Sequence, residues 1–150
     1  MFLPLWEGLI GVRLSDVEML DLFRRHYSHA NAAALKLGAP ARSLLLRNTQ
    51  GTVLFLWQWP LDGMRRDHQN GFNCAIFRNE SSRRSSEIIL EAEEHAVAKW
   101  GPNRFYTYVD PRRIASSNPG YCFKKAGYCF SHASKSGKHL LVKEFSKDRR

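Results

Sequence analysis

Between residues 52 and 59 nearly every position is apolar, and the apolar residues fall on both parities. Val53, Phe55, Trp57 and Trp59 share one face of the implied strand, and Leu54 and Leu56 share the other with Gln58. A strand with two apolar faces sits in the middle of a sheet covered on both sides. Residues 43–47 precede it as a second strand, and Asn48-Thr49-Gln50-Gly51 between them reads as a hairpin turn. Residues 73–77 are short, apolar and β-capable. The period then changes. Ile88, Ile89, Ala92, His95, Ala96, Lys99 and Trp100 recur at helical spacing. Ser85 or Ser86 is the expected N-cap, Glu87 and Glu91 suit the positive end of the helix, and Gly101-Pro102 stops it. Residues 104–109 form another strand, so 73–109 reads as a βαβ unit with parallel strands.

The flanking segments extend the pattern. Residues 9–14 suit a first strand. Ser15 is placed to cap a helix with Glu18 at the capping-box position, and Val17, Leu20, Phe23 and Tyr27 mark its inner face. Residues 30–41 are rich in small side chains and read as a second short helix or an irregular loop. After 104–109 come a turn and a short helix ending at Gly127-Tyr128, then a closing hairpin of 128–132 and 139–145 and a basic, frayed tail at 146–150. The element order is β-α-(α)-β-β-β-α-β-α-β-β: an α/β (α+β) domain with a mixed central sheet. With 150 residues, the whole chain is one domain.

Composition changes this picture in two ways. Twenty-three basic residues against 14 acidic ones give a net charge of +9, which predicts attraction to polyanions or to a phosphorylated small molecule. The three cysteines, Cys74, Cys122 and Cys129, do not suggest a disulfide framework and fit reduced thiols in a cytoplasm. The chain shows no apolar run long enough for a membrane span and no signal-peptide pattern at its start.

Candidate chemistry concentrates at 78–86, a polar stretch with three arginines and four serines between strand and helix. A cationic loop opening a helix can cradle an anion, because the first-turn N–H groups and the dipole point at whatever sits over it. The same stretch also reads as an ordinary solvated connection. His26 ends the first helix, where histidine is common without function. Asp110 ends the second parallel strand, where functional groups of open α/β sheets collect, and Asp110-Pro111 is equally a good turn. Cys122, Cys129, His132 and His139 lie close in sequence, but their spacing matches no zinc pattern and the cysteines fall at expected core positions, so no metal is expected.

Three stretches carry a family resemblance. NCAIFRNE, RFYTYVDP and NPGYCFKKAGY resemble the second half of a GNAT N-acetyltransferase, and more narrowly a GNAT-like group found in bacteriophages and their hosts. The likeness is good over about 72–145 and weak over the first 70 residues. It implies a GNAT-like fold in which the strands at 73–77 and 104–109 splay apart, and acetyl-CoA as donor. The pantetheine arm would pair with exposed strand backbone at Ala75 and Phe77, with the pyrophosphate on Arg78, Arg83, Arg84, Ser85 and Ser86. The family's turn normally carries glycine, and 78–86 has none. Asn118 matches the family's cofactor-contacting asparagine at a shorter offset. Phe123 occupies the position of the usual acid, a tyrosine, which leaves Tyr121, Cys122 or water to protonate the departing thiolate. Asp110, Glu80 and His26 are the candidate bases for the amine. The acceptor implied by the phage-type likeness is an amine on a modified DNA base, stacked by Tyr27, Trp57 or Tyr106. A nucleic-acid-binding protein of the same fold without catalysis is the alternative.

Overall fold

The computed structural model describes residues 8–26, 41–61, 69–113 and 118–145. In chain order the elements are β1 (Ile10–Val12), α1 (Val17–His26), β2 (Ala41–Arg47), β3 (Val53–Pro60), β4 (Phe72–Asn79), α2 (Ser85–Trp100) and β5 (Phe105–Val109). A 3-10 turn (Pro111–Arg113), α3 (Tyr121–Lys125), β6 (Cys129–Ala133) and β7 (His139–Lys143) follow. The seven strands form one sheet in the order β1-β2-β3-β4-β5-β7-β6. Every neighbouring pair is antiparallel except β4 and β5. The expected order is met wherever the residues are described; the segments at 30–40, 62–68 and 146–150 lie outside them.

β3 is the buried central strand its sequence implies. Val53, Phe55 and Trp57 enter one core with Ile88, Ile89, Ala92 and Ala96 of α2, while Leu54 and Leu56 enter a second with Met19, Leu20 and Leu22 of α1. Trp57 is fully buried, and its Nε1–H donates to the Ala92 carbonyl at 2.8 Å, tying strand to helix. The 48–51 turn closes on Asn48, whose Oδ1 accepts N–H bonds from Thr52 and Val53, both at 2.9 Å. Gly51 supplies the positive φ of +72° that the hairpin requires.

Several local expectations shift by a residue or two. Asp16, not Ser15, caps α1: its Oδ2 accepts the Met19 N–H at 3.0 Å and also holds Arg47 Nε at 2.7 Å. A carboxylate that caps a helix and pairs with an arginine outcompetes a hydroxyl. The inner face rotates with the cap, so Met19, Leu20 and Leu22 are buried and Val17 is 79% exposed. The phenyl ring of Phe23 and all of Tyr27 lie outside the described residues. On α2, the N-cap is Arg84 rather than Ser85 or Ser86, and no side chain bonds back there. The buried stripe takes in Glu93 in place of Lys99, which is exposed. Glu93 is tolerated because Lys143 Nζ reaches its Oε1 at 2.9 Å while also donating to the Ala126 carbonyl at 2.8 Å. That buried pair joins α2, α3 and β7.

Candidate active site

Among the described strands, the sheet opens at the seam between its two parallel strands. β4 and β5 pair at Phe72–Phe105, Asn73–Tyr106 and Cys74–Thr107, and no further. On the other side of β4 the pairing with β3 continues to Asn79, but its register slips: Leu56 faces Ile76 and Trp57 faces Cys74, leaving Ala75 as the extra residue. A bulge bends its strand and adds twist, so β4 turns away from β5 from Ala75 onward. The result is a wedge between two parallel strands. Its apex is the Cys74–Thr107 pair, locked by Thr107 Oγ1–H donating to the Cys74 carbonyl at 2.9 Å. Ala75 is exposed in the mouth, and Phe77 is half-buried against Phe55 and Phe123, with ring centroids 5.1 and 6.1 Å away.

At the far end of the open edge the chain turns into α2. Asn79 shapes this turn in the absence of glycine. Its Nδ2 donates to the Arg83 carbonyl at 2.8 Å and to Ser85 Oγ at 3.0 Å, and its Oδ1 accepts from Ser81 N at 2.9 Å and Ser81 Oγ at 2.5 Å. The Glu80 N–H donates to the Thr52 carbonyl at 2.7 Å, fixing the turn to the β2–β3 hairpin. The α2 N-terminus, with Ser85 and Ser86 in its first turn, is therefore held at the end of the wedge with no capping side chain from Arg84. Such a terminus is a ready anion site.

The three arginines of this stretch separate. Arg84 is exposed at the N-cap. Arg83 folds onto α2, with Nη1 on Glu91 Oε1 at 2.5 Å and Nε on Glu87 Oε1 at 3.4 Å. Arg78 pairs across β3 with Leu54, which places it on the α1 face of the sheet, opposite α2. Of the three, the geometry leaves Arg84 at the turn itself.

The remaining candidates are spread around the seam. Asp110 follows β5, and both its carboxylate oxygens hold Arg112: Oδ1 accepts from Arg112 N and Nε, both at 3.0 Å, and Oδ2 accepts from Nη2 at 3.3 Å. This carboxylate raises the Arg112 pKa by direct hydrogen bonding and by charge. The arrangement makes Asp110 the organiser of the 3-10 turn. Glu80 is exposed at the end of β4, and Tyr121 is 56% exposed at the start of α3. Asn118 accepts a bond from Lys124 Nζ at 2.7 Å, and its carbonyl accepts the Tyr121 N–H at 3.2 Å. Phe123 is 6% exposed, packed edge-on to Tyr128 at 5.1 Å, and presents no proton. His26 is the last residue of α1, and its imidazole is outside what the structure describes.

Two expectations about aromatic and sulfur groups are overturned. Trp57 and Tyr106 are 0% and 1% exposed, so neither offers a stacking surface; both are held by the sheet interior. Cys129 is exposed on β6 rather than in the core, because β6 is the outermost strand and all five of its residues face solvent. Among the described residues no three His, Cys, Asp or Glu side chains converge as a metal site. His139 instead packs edge-on against Phe130 at 5.0 Å. Sequence reasoning passed over Asn79, whose signal was legible: asparagine at a strand end with serine two residues on is an Asx-turn pattern.

No family model and no curated protein matches the sequence. Solved structures do. The chain superposes on the GNAT domain of S. lividans PAT with a TM-score of 0.62 at 16% identity, covering 90% of this chain and 88% of that one. It also superposes on a provisionally assigned GNAT-family acetyltransferase from Bordetella pertussis, with a TM-score of 0.55 at 12% identity, covering 96% and 99%. The fold is that of the GNAT acetyltransferases: one mixed sheet with a splayed parallel pair, flanked by helices. Among the described residues no helix is long and apolar enough to cross a membrane.

Proposed function

We propose that the chain is an acetyl-CoA-dependent N-acyltransferase that moves an acetyl group from the CoA thioester to an amine. The observation that carries this reading is the β4–β5 wedge, which stops pairing at Cys74–Thr107 and ends, along the open edge, at the α2 N-terminus. From Ala75 to Asn79 that edge offers about 13 Å of extended backbone. A pantetheine arm with two amides can pair there as a short added strand. Ala75 and Phe77 supply the pairing edge. Arg84, Ser85 and Ser86 stand where the pyrophosphate would lie, with Arg83 and Arg78 able to contribute charge only after leaving their present positions.

The chemistry needs little from side chains. A neutral amine attacks the thioester carbonyl, the C–N bond forms, the C–S bond breaks, and the thiolate leaves with the electron pair. A backbone N–H near the bulge would polarise the carbonyl oxygen. Holding the two reactants together supplies several kcal/mol of the barrier, on the order of 7–11 at best. The amine's surplus proton passes to water or a nearby carboxylate. Glu80 and Asp110 are the candidates near the seam, and Asp110 would first have to release Arg112. Tyr121 or water would protonate the thiolate, because Phe123 cannot. The finer reading, an amine borne on phage DNA, draws support from the net charge of +9; Trp57 and Tyr106 contribute no stacking to it. The second reading, a nucleic-acid-binding GNAT fold without catalysis, draws on the same charge and on the buried Phe123. Calorimetry with acetyl-CoA separates the two: micromolar binding is expected, and no heat at millimolar ligand would overturn the acyltransferase reading.

A further inference from the structure

One polar atom beside the wedge stands out. Among the described residues, Asn73 Oδ1 is buried and has no hydrogen-bond partner. Asn73 lies on β4, one residue before the apex, paired across the sheet with Gln58 on β3 and Tyr106 on β5. Its neighbours Phe72 and Cys74 both enter the α2-side core, so the Asn73 amide stands on the opposite face of the sheet. That face continues the Leu54, Leu56 and Ile76 surface under α1, but here it turns polar and aromatic. Tyr106, the β5 partner of Asn73, meets Tyr108 edge-to-face with ring centroids 6.1 Å apart, and Arg104 lies 5.6 Å over the Tyr106 ring.

Leaving a buried acceptor unmade costs the fold its desolvation, and such atoms in otherwise satisfied interiors call for an explanation. A carbonyl oxygen on an amide can only accept, so the missing group is a donor. We propose that Asn73 Oδ1 docks the acyl acceptor, receiving one N–H of an incoming primary amine at the apex of the wedge; this rests on the acyltransferase reading. The apex is also where the open edge, and with it an arm paired to that edge, must end. An amide suits the task better than a carboxylate. It orients an N–H without adding a negative charge that would hold the amine as ammonium, which cannot attack.

The test uses the full chain with acetyl-CoA and n-propylamine as the probe. In Asn73→Leu, the melting temperature should stay equal or rise, because an unpartnered polar atom is replaced by an apolar one of similar size. Affinity for acetyl-CoA should stay within about twofold, while KM for propylamine rises roughly tenfold or more and kcat changes less. Asn73→Asp restores an acceptor oxygen; it should recover the amine KM and move the activity optimum to higher pH, since the new charge favours ammonium. An unchanged propylamine KM in Asn73→Leu overturns the inference while acetyl-CoA binding leaves the acyltransferase reading standing. A fall in melting temperature overturns it as well, because Oδ1 would then have a partner within the fold. Wild-type protein that binds no acetyl-CoA overturns the acyltransferase reading and the docking role with it.

Discussion

β4 is two strands in one. Asn73 and Cys74 are paired on both sides and Phe72 is paired to β5, and Phe72 and Cys74 are 0% and 5% exposed. Ala75 is the bulged residue, Ile76 to Asn79 pair only with β3, and every residue from Ala75 to Asn79 is exposed or half-buried. One inserted residue separates the halves, since the Ala75 bulge redirects the strand. An open edge inside a sheet is normally a liability. Here it is kept in place by neighbours rather than by a partner strand: the Asn79 turn at one end and the Thr107 bond at the other. Stability therefore concentrates in the closed half, and the backbone left for a donor's arm lies in the open one.

Breaking the closed half should have the largest effect. Gly71 sits immediately before it with φ +111°, and a Cβ there would lie 2.1 Å from the Arg104 carbonyl oxygen and 2.8 Å from its carbon. Both are backbone atoms, and that oxygen accepts the Phe72 N–H at 2.8 Å, next to the first β4–β5 pair. Gly71→Ala should cost roughly 3 kcal/mol or more in urea denaturation, from overpacking and backbone strain together. Gly101→Ala is the control, since its φ of +90° carries strain but nothing lies within 4 Å of the added carbon. About 1–2 kcal/mol is expected there. Equal losses at the two glycines would show that the start of the closed half gives way easily.

Loosening the open half at its turn comes next. Asn79→Ala removes the bonds to Arg83 O, Ser85 Oγ, Ser81 N and Ser81 Oγ. With the site half-buried, about 2 kcal/mol of stability is expected to go. Amide exchange should quicken through the turn while the amides around Phe72 to Cys74 stay protected. If protection falls in both halves together, they are one cooperative unit.

The closed half and the cores were legible from periodicity, because burial on both faces of β3 and the stripe of α2 leave an unambiguous pattern. The wedge was legible only through the family likeness. Nothing in the composition of NCAIFRNE marks Ala75 as a bulge, since the register is set by the partner strand. Individual side-chain roles were the least legible. Arg83 and Arg84 are adjacent and chemically alike, yet one is committed to Glu87 and Glu91, and this depends on a helix phase known only once the N-cap is placed. Asn73 carries no sequence signal at all; its orphaned oxygen is a property of the packed sheet.

That split between the arginines gives a third, smaller prediction. Arg84→Ala should weaken acetyl-CoA binding about tenfold, the loss of one charge-assisted bond, with the melting temperature unchanged. Arg83→Ala should do the reverse, lowering stability by about 1 kcal/mol as the Glu91 pair is lost and affecting affinity less. The double variant should lose at least tenfold in affinity. A larger affinity loss from Arg83 would mean that it abandons Glu91 when the donor binds, and that the turn repacks.

The smallest effect tests the seal of the closed half through pH. Burial lifts the Cys74 thiol far above its ordinary value of 9.0. In the folded chain the thiol keeps its proton; in the unfolded chain it gives it up above about pH 9. Above that point the unfolded state binds fewer protons than the folded one, so stability falls as pH rises. The contribution is complete below the unfolded value and is lost as pH climbs toward the folded one, with a limiting slope of about 1.4 kcal/mol per pH unit. Lysines and tyrosines titrate in the same range, so the informative quantity is the difference between wild type and Cys74→Ala, whose other groups are shared. Urea midpoints taken from about pH 8 to about pH 10.5 should converge, the wild type losing its excess stability over the variant as pH rises. Parallel curves would mean that Cys74 ionises in place and that water reaches the apex of the wedge. The division of β4 into a sealed half and an open half would then fail at the residue where one gives way to the other.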